Sequence, residues 1–522
     1  MSRLHDWATK QPGKVAVQML ETGKALTYQE LDQRANRVAE WLLSLGLAEG
    51  AVIALLLENN IGTFELWWGA RRAGMYYVPI SILLTGREAA YIVRDCGASV
   101  LITSADTTDL ARETLEALSA DAPPHRLMLD GEAAGFKSYD KTMSGFSGTA
   151  SLPERPVGRE FMYSSGTTGF PKGIRRPLLP HARRYELPEL EQKLRSMFQL
   201  DGNSVFLSVS PLYHATGRFN IRVLECGGTC VIMRKFDAAS ALEAIEQHRI
   251  THGHWVPTMF SRLLALPAEV RDRRDVSSQR VALHATAPCP RHIKEAMISW
   301  WGPIINEYYG GSENVGVTYI DAKDWLAHKG SVGKPICGEV HIMADDGSDT
   351  ELRAGEIGLI YFNGGVGFQY HNDSEKTKSV FNQRGWGTYG DMGSIDSEGF
   401  LFMSDRRTDL IIAGGVNIYP QEAENVLLAH PAVEDVAVIG IPHEDYGQEV
   451  KAVVQLKTGY QPSDNLANEL AAFCRSQLSR IKCPRTVDFL DALPRSENGK
   501  LLKRVLRDSY ATKPVTAAAS EA

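Results

Sequence analysis

The sequence predicts an α/β protein: a large N-terminal domain of layered α/β subdomains with a β-rich segment, and then a small α+β C-terminal domain. Short β-rich runs alternate with amphipathic helical stretches over much of the first two-thirds of the chain, as in α/β layers. After Gly364 the sequence becomes rich in turns and short strands. Beyond Asp409 a compact pattern of strands and helices covers about 100 residues, a size that folds by itself.

The first predicted elements are apolar runs separated by turn residues. Residues 63–74, TFELWWGARRAG, are predicted as a helix that ends at Gly74, because glycine commonly terminates helices. The predicted strands cover residues 51–59, 99–104, 204–214, 230–236 and 280–287.

The charged segment DRRTD, residues 405–409, marks the predicted domain boundary. We therefore expect an N-terminal domain over residues 1–405, a hinge over 406–409 and a C-terminal domain over 410–510. Within the C-terminal domain the predicted strands are 410–414, 433–441 and 449–457, and the predicted helices are 420–430 and 465–478. The tail 511–522, rich in alanine and poor in large apolar residues, is predicted to be disordered.

The composition describes a globular protein that does not bind nucleic acid. Of 522 residues, 43% are apolar, and 56 Lys and Arg against 63 Asp and Glu give a formal net charge of −7 with both signs interspersed. Seven scattered cysteines indicate reduced thiols. The longest apolar run, residues 51–57, is too short for a membrane span, and the N-terminus lacks an apolar signal region. We expect a cytoplasmic protein without a membrane span.

The segment YSSGTTGFPKG, residues 163–173, has the composition of an anion-binding loop. Its glycines let backbone N–H groups turn toward a ligand, its hydroxyls add donors, and Lys172 adds a positive charge. Pro171 precedes Lys172, whereas the common phosphate-binding loop has glycine before the lysine. The segment is therefore expected to extend across a phosphate chain. A glycine-rich linker is the alternative, although linkers do not usually end in Pro-Lys.

Five further segments follow this loop in order: PLYHATG (211–217), YYGGSEN (308–314), YGD (389–391), DRRTD with GGVNIYPQE (414–422), and PRSENGK (494–500). Their order and spacing resemble the acyl-adenylate-forming superfamily, which includes acyl-CoA synthetases, adenylation domains of nonribosomal peptide synthetases and firefly luciferase. The resemblance covers nearly the whole chain. It implies that ATP and Mg²⁺ convert a carboxylic acid to an acyl-AMP with release of pyrophosphate, and that the acyl group then passes to the thiol of coenzyme A.

The resemblance implies a nucleotide site in the N-terminal domain. Catalysis at the shielded α-phosphorus depends mostly on positioning and charge neutralisation. The residues implied at the β- and γ-phosphates are Ser164, Ser165, Gly166, Thr167, Thr168, Gly169 and Lys172. The other implied residues are Tyr309 or its neighbour Tyr308 over adenine, Asp391 and Arg406 at the ribose, Ser312 at the α-phosphate, and Glu313 at Mg²⁺. Ser312 stands where the family often has threonine.

The resemblance also implies a mobile C-terminal domain that contributes Lys500 to the first half-reaction, as the cation that bridges the attacking carboxylate and the α-phosphate. Lys503 and Arg504 are instead expected to be solvated. After rotation about Thr408, where many relatives carry Asp or Lys, Gly414 and Gly415 would line the passage for the pantetheine arm of coenzyme A. A simple tight turn is the alternative for the two glycines. His214 would lie between the acid and the thiol and orient them.

The acyl pocket is expected between His214 and Gly311. Its candidate residues are His214, Arg218, Arg222, Trp255, His284, Ala285, Thr286, Gly310 and Gly311. The two arginines would recognise a second polar or anionic group or the phosphates of coenzyme A; alternatively, and slightly favoured, they face solvent or pair with buried carboxylates such as Glu225. By analogy alone, segments such as APCP and YHNDSEKT look similar to a bacterial branch that activates bulky hydrophobic, aryl-alkanoic or steroid-like acids.

Several other functions remain open. The chain could be a stand-alone adenylation enzyme that serves another acceptor, or a synthetase for medium- or long-chain fatty acids. A peptide-synthetase adenylation domain would need an acidic residue for the amine and normally a carrier domain. A phosphotransferase would release ADP, an inactive nucleotide binder would lack Lys172, Glu313, Asp391 and Lys500, and a luciferase-like oxidase would consume oxygen. The expected partners are the acid, ATP and coenzyme A, and a homodimer is compatible with the resemblance.

Overall fold

The computed structural model describes residues 3–164, 171–365, 367–413, 416–443, 446–495 and 501–511. The strands are β1 Val15–Met19, β2 Ala25–Thr27, β3 Val52–Leu56, β4 Tyr76–Ile80, β5 Ala98–Ser104, β6 His125–Leu129, β7 Lys137–Ser138, β8 Arg159–Glu160, β9 Met162–Ser164, β10 Lys172–Arg175, β11 Val205–Ser208, β12 Thr229–Ile232, β13 His252–Trp255, β14 Val281–His284, β15 Ile305–Gly310, β16 Val317–Ile320, β17 Ser331–Cys337, β18 Glu339–Met343, β19 Gly358–Asn363, β20 Gln369–Tyr370, β21 Gly387–Ile395, β22 Leu401–Arg406, β23 Ile411–Ala413, β24 Val416–Ile418, β25 Val433–His443, β26 Gly447–Leu456 and β27 Thr486–Phe489.

The α-helices are α1 Arg3–Lys10, α2 Tyr28–Ser44, α3 Gly62–Ala73, α4 Gly86–Asp95, α5 Thr108–Leu118, α6 Tyr139–Met143, α7 Glu189–Met197, α8 Arg218–Glu225, α9 Ala238–Gln247, α10 Pro257–Leu264, α11 Ala268–Arg271, α12 Arg291–Trp301, α13 Ala322–Ala327, α14 Ser374–Ser379, α15 Pro420–Leu427, α16 Asp464–Arg475 and α17 Lys503–Ala511. Local sequence signals define where several of these helices begin or end. Helix α2 starts with a capping box between Thr27 and Glu30, and α3 ends at Gly74, which adopts a left-handed φ of 70°.

The largest sheet contains 13 strands within the described residues, in the order β18-β19-β21-β22-β17-β16-β15-β14-β13-β11-β12-β1-β2. Its centre is parallel, from β1 and β12 through β11, β13 and β14 to β15. From β15 to β18 every neighbouring pair is antiparallel. The predicted β-rich segment after Gly364 is therefore not a separate sheet, because β21 and β22 continue the main sheet through β17.

A second sheet, in the order β7-β6-β5-β3-β4-β8, is parallel throughout. All five residues of β3 are buried, as expected for a parallel strand that is covered on both faces. One continuous core joins the inner faces of the two sheets through α2 and α3, for example by Val38, Trp67, Ile102 and Leu283. A second core under α9, α10 and α12 covers the other face of the main sheet. The predicted α/β layers are thus confirmed.

Most predicted elements occur where the sequence placed them, although their ends differ by a few residues. The predicted strands 51–59, 99–104, 230–236 and 280–287 correspond to β3, β5, β12 and β14, and helix 63–74 corresponds to α3. The prediction of one strand over 204–214 is wrong beyond Ser208, where β11 ends. Pro211 cannot donate a ladder hydrogen bond, and the chain turns there into the short 3₁₀ helix Ala215–Gly217.

The small C-terminal unit is built on the sheet β25-β26-β27, which α15, α16 and α17 cover, with the ribbon β23-β24 beside it. The expectation that Lys503 is solvated is wrong. Its ammonium group is buried and lies 2.8 Å from a carboxylate oxygen of Glu424.

The exact domain boundaries and the disorder of the tail stay predictions. Residues 512–522 of the tail lie outside the described residues. No helix in the described part of the chain combines the length and apolar character needed to cross a bilayer.

Candidate active site

Strand β15 carries two adjacent tyrosines on opposite sides. The hydroxyl of Tyr309 donates a hydrogen bond of 2.7 Å to Oδ2 of Asp391 on β21. Tyr308 instead contacts the rings of Phe219 and His254. The contact with the predicted ribose ligand favours Tyr309 over Tyr308 for the adenine site, and both roles stay predictions.

A second cluster joins Glu313, Tyr370 and Lys172. The hydroxyl of Tyr370 donates a hydrogen bond of 2.9 Å to Oε1 of Glu313, and Nζ of Lys172 lies 5.8 Å from the centroid of the Tyr370 ring. Burial and the nearby Lys376 lower the pKa of Lys172, while Asp373 and Glu313 oppose this effect. Tyr370 reaches the cluster because β20 pairs with β10, a contact that no local sequence signal indicates.

Glu313 fits the predicted role at Mg²⁺. In the part of the chain that the structure describes, no group of three or more His, Cys, Asp or Glu could hold a metal by itself. Mg²⁺ is commonly held by one or two protein carboxylates together with phosphate oxygens, and a single carboxylate that lies near Lys172 matches this pattern.

The turn that carries Ser312 and Glu313 is fixed by close contacts. A Cβ atom on Gly311 would lie 2.5 Å from the Tyr389 ring, so only glycine fits at this position. Nη2 of Arg176 donates a hydrogen bond of 2.6 Å to the carbonyl oxygen of Ser312. These two contacts hold the turn in place beside the Glu313 cluster.

The segment with His214 leads directly into helix α8. His214 stands at the N-terminal cap of the 3₁₀ helix Ala215–Gly217, and its ring lies 4.8 Å from that of Tyr213. A Cβ atom on Gly217 would lie 2.4 Å from the carbonyl oxygen of Leu212, so this glycine permits the tight turn before α8.

The two arginines of α8 pair with carboxylates of the chain itself, as the slightly favoured alternative predicts, but with different partners. Arg222 donates from Nε and Nη2 to both carboxylate oxygens of Glu191, at 2.8 and 2.7 Å. Arg218 lies 3.4 Å from Glu160. Glu225, the partner that the sequence suggested, instead binds Arg71 and Arg195.

The cluster around Glu160 contains more positive than negative charge. Burial raises the pKa of Glu160, but the guanidinium groups of Arg218, Arg159 and Arg176 outweigh burial and hold the pKa at about 2. Burial together with Arg218 lowers the pKa of Arg176 to about 10. The region between α8 and the turn of Ser312 therefore carries a positive electrostatic potential.

The main sheet separates the residues of the predicted acyl pocket into two groups, so they cannot all line one pocket. Arg218 and Arg222 lie on the face that α8 covers, whereas Trp255 and His284 are buried in the core under α10 and α12. Successive residues of a strand point to opposite faces, so Trp255 cannot share a cavity with α8. Its neighbour His254, which the sequence reasoning missed, contacts Phe219 of α8 instead.

The remaining predicted residues lie at strand ends or outside the described parts. Gly310 ends β15, and Ala285 and Thr286 follow β14, Thr286 with an unusual φ of 85°. Thr408 lies in the 3₁₀ turn Arg407–Asp409 after β22. Outside the described residues are Ser165, Gly166, Thr167, Thr168, Gly169, Gly414, Gly415 and Lys500, as well as the side chains of Ser164 and Arg406.

Two family profiles match the chain. The profile described as AMP-binding enzyme matches residues 4–369, and the profile of the AMP-binding enzyme C-terminal domain matches residues 422–500. Together they contain every predicted site residue except Asp391, Arg406, Thr408, Gly414 and Gly415.

Curated proteins and solved structures are similar over nearly the whole chain. The long-chain-fatty-acid–CoA ligase FadD13 of Mycobacterium tuberculosis is 30% identical over 515 residues, which are 97% of each chain. The feruloyl-CoA synthase of an Amycolatopsis species is 33% identical over 498 residues, 94% of each chain. The crystal structure of ATP-bound MatB from Rhodopseudomonas palustris superposes with a TM-score of 0.83 at 28% identity, and the match covers 98% of this chain and 99% of that one.

Proposed function

The chain belongs to the AMP-binding enzyme family, and from this premise we propose that it is an AMP-forming acid-CoA ligase that uses ATP, Mg²⁺ and coenzyme A. The observation that carries the proposal is the convergence of the Tyr309–Asp391 contact and the Glu313–Tyr370–Lys172 cluster, with the fixed turn of Ser312 between them. Tyr309 near the end of β15 and Glu313 just beyond it belong to one short segment, so the proposed nucleoside site and the proposed phosphate site are neighbours along the chain.

In the first half-reaction, a carboxylate oxygen of the acid attacks the α-phosphorus of ATP, and the bond to the leaving pyrophosphate breaks. Tyr309 and Asp391 hold the nucleoside, and Lys172 neutralises the outer phosphates. Glu313 would hold Mg²⁺, which supplies charge neutralisation on the phosphate oxygens when it is bound. Lys500 approaches from the C-terminal domain and neutralises the charge that develops at the attacked phosphorus.

In the second half-reaction, the thiol of coenzyme A gives its proton to water and its sulfur attacks the acyl carbon. The bond between this carbon and the phosphate oxygen breaks, and AMP leaves as the new thioester forms. Because AMP is a good leaving group and a thiol has a pKa near 8.5, a dedicated general base is not required. We assign His214 an orienting role at the meeting point of acid and thiol. The C-terminal domain would rotate about Thr408 and bring Gly414 and Gly415 to the pantetheine arm.

The acid is proposed to be bulky and hydrophobic, of the aryl-alkanoic or steroid-like kind. Aromatic side chains between α8 and the main sheet, Phe219 and Tyr308, support this substrate class, as does the similarity to a feruloyl-CoA synthase. The similarity to a long-chain-fatty-acid ligase keeps fatty acids as the second candidate.

A panel of acids tests the proposal. Acetate, palmitate, an arylpropionate and a cholanoate are incubated with ATP and Mg²⁺, with and without coenzyme A, and pyrophosphate, AMP and ADP are measured. We expect AMP and pyrophosphate, with the bulky acids fastest. Release of ADP would refute the ligase function, and a preference for acetate would refute the substrate class.

Two properties of the whole protein are also proposed. The enzyme works in the cytoplasm, consistent with its scattered cysteines, and it forms a homodimer. Light scattering coupled to gel filtration measures the mass in solution, and a mass of one chain at micromolar concentration would contradict the dimer.

A further inference from the structure

His254 is a buried histidine whose two ring nitrogens are left without a hydrogen-bond partner among the described residues. His254 is only 2% exposed to solvent. Buried polar groups are nearly always paired, because an unpaired donor or acceptor loses its hydrogen bonds to water without compensation. His252, two residues earlier on the same strand face, follows this rule: it contacts Thr251 Oγ1 and the carbonyl oxygen of Phe198, each at 2.7 Å.

The surroundings of His254 place it beside the candidate active site. Its ring lies 4.9 Å from the Phe219 ring of α8 and is stacked 5.7 Å from the Tyr308 ring of β15. Tyr308 is adjacent in sequence to Tyr309, which contacts the predicted ribose ligand Asp391. The two sides of β15 therefore face different spaces, the nucleotide site at Tyr309 and the region between α8 and the sheet at Tyr308.

A small cavity adjoins His254 on the same sheet face. Phe198, Phe219, His252 and Leu283 are among the residues that line it. Phe219 contacts both this cavity and His254, so a ligand that displaces the ring of Phe219 or Tyr308 would reach the histidine. The free space of this cavity is only about 10 Å³, roughly that of one water molecule, so a hydroxyl group reaches His254 only when the ring of Phe219 or Tyr308 moves aside.

We propose that His254 recognises a hydroxyl group of the acid substrate, at a point remote from the carboxylate that reacts. This inference rests on the proposed acid-CoA ligase function. A neutral imidazole has one N–H donor and one acceptor nitrogen, and a hydroxyl group can pair with either because it both donates and accepts.

The charge of the surroundings selects a neutral partner. Burial, together with the nearby Arg222, lowers the pKa of His254 to about 3, so the ring is uncharged at neutral pH. A charged group of either sign would lose its hydration in this buried region. An anionic group would find Arg222 already engaged by both oxygens of Glu191. A neutral hydroxyl meets neither obstacle.

Matched pairs of acids test the role of His254. The pairs are 4-hydroxycinnamate with cinnamate, lithocholate with 5β-cholanoate, and 16-hydroxypalmitate with palmitate, and kcat/KM is measured by pyrophosphate release. In the wild type we expect at least one hydroxylated acid to be preferred by about tenfold or more, because a site that binds a hydroxyl discriminates against the analogue that lacks it. In His254→Leu this ratio should fall toward one, mainly through a higher KM for the hydroxylated acid.

Two further variants separate recognition from structure. His254→Gln keeps a donor and an acceptor and should retain part of the preference. His248→Gln should leave the preference unchanged, because His248 caps α9 on the other face of the main sheet. If His254 were only structural, His254→Leu would reduce kcat/KM for both acids of a pair equally. Thermal unfolding should show His254→Leu folded, since it replaces a buried unpaired polar group by an apolar one.

Three results would overturn the inference: no hydroxyl preference in any wild-type pair, an unchanged preference in His254→Leu, or a larger preference for hexadecanedioate over 16-hydroxypalmitate. The last result would assign the site to an anionic group. Failure of every acid to release pyrophosphate would instead refute the proposed function itself, so the two failures are distinguishable.

Discussion

At the scale of single residues, the proposed role of Lys500 in adenylation leads to a direct test. We expect Lys500→Ala to lower adenylation by about 10²–10³-fold, because a cation directed at the developing charge is lost. Thioester formation from supplied acyl-AMP should stay nearly intact. Single-turnover assays of each half-reaction measure both effects.

The control is Arg504→Ala, which removes an exposed cation from the same segment and should leave both half-reactions near the wild-type rates. Equal loss of the two half-reactions in Lys500→Ala would refute its assignment to adenylation.

Glu65 makes the stability of the protein depend on pH. This carboxyl is buried in α3, and burial raises its pKa from 4.5 to about 7, against the opposing charge of Arg34. Between these values the folded state keeps a proton that the unfolded state has released, so the free energy of unfolding falls as pH rises through this window.

The glutamine in Glu65→Gln cannot ionise, so the free energy of unfolding of this variant should not fall through this pH window. Relative to the wild type, its free energy of unfolding should increase by ~2–3 kcal/mol between pH 4.5 and pH 8. Urea denaturation at several pH values measures the difference, with the exposed Glu116→Gln as the control. If the free energy of unfolding changed with pH in the same way in Glu65→Gln and in the wild type, the prediction would be wrong.

At the scale of elements, one ion pair attaches the last described helix to the C-terminal unit. Lys503, at the start of α17, pairs with Glu424 of α15 at 2.8 Å. The same Oε1 oxygen of Glu424 accepts a hydrogen bond of 2.7 Å from the backbone N–H of Val438 on β25. Three elements therefore meet at one buried carboxylate.

Lys503→Met should lower the free energy of unfolding by about 3–5 kcal/mol, because it leaves a buried carboxylate without its counter-ion. Urea denaturation measures this loss, and adenylation should fall with it, since Lys500 lies three residues before Lys503. The double variant Lys503→Met with Glu424→Gln should recover part of the stability. A stability like that of Arg504→Met, at an exposed position, would contradict a structural role.

At the scale of the whole molecule, the proposed rotation about Thr408 links the two half-reactions. Thr408 is exposed and lies in a 3₁₀ turn, and Asp409 beside it binds Arg507 of α17 at 2.7 Å. Proline is tolerated in the first turn of a helix but fixes φ near −65°. Thr408→Pro should therefore restrict the rotation.

We expect Thr408→Pro to slow one half-reaction by about tenfold or more while the other is preserved, since the proposed mechanism uses a different domain orientation for each half-reaction. Single-turnover kinetics separate the two steps, and Thr408→Ala is the control that keeps backbone freedom. Equal rates for Thr408→Pro and Thr408→Ala in both half-reactions would place the hinge elsewhere.

The sequence predicted the local features well because they depend on nearby residues. Alternating apolar runs predicted β3, β5, β12 and β14, and the glycine at position 74 predicted the end of α3. The prediction that this strand continues past Ser208 was wrong, because an apolar run does not show where a chain leaves its sheet. Pro211 was nevertheless a usable signal.

Contacts between distant residues could not be predicted in the same way. The sequence placed Trp255 and Arg218 in one pocket because both lie between the same motifs, but strand alternation sends Trp255 to one face of the sheet and His254 to the other. Lys503 was expected in solvent because a lysine near the C-terminus is exposed by default, and only the docking of α17 buries it.

The sequence by itself determined the family, the order of the elements and the chemistry of the motifs, since each depends on residue types at fixed spacing. The tertiary structure decided which side chains meet: Tyr309 with Asp391 across 82 positions, Tyr370 with Glu313 across 57, and Arg222 with Glu191 across 31. Such contacts depend on strand register and on which face of a helix is buried. Register and the buried face of a helix are determined only when all elements pack together around a common core.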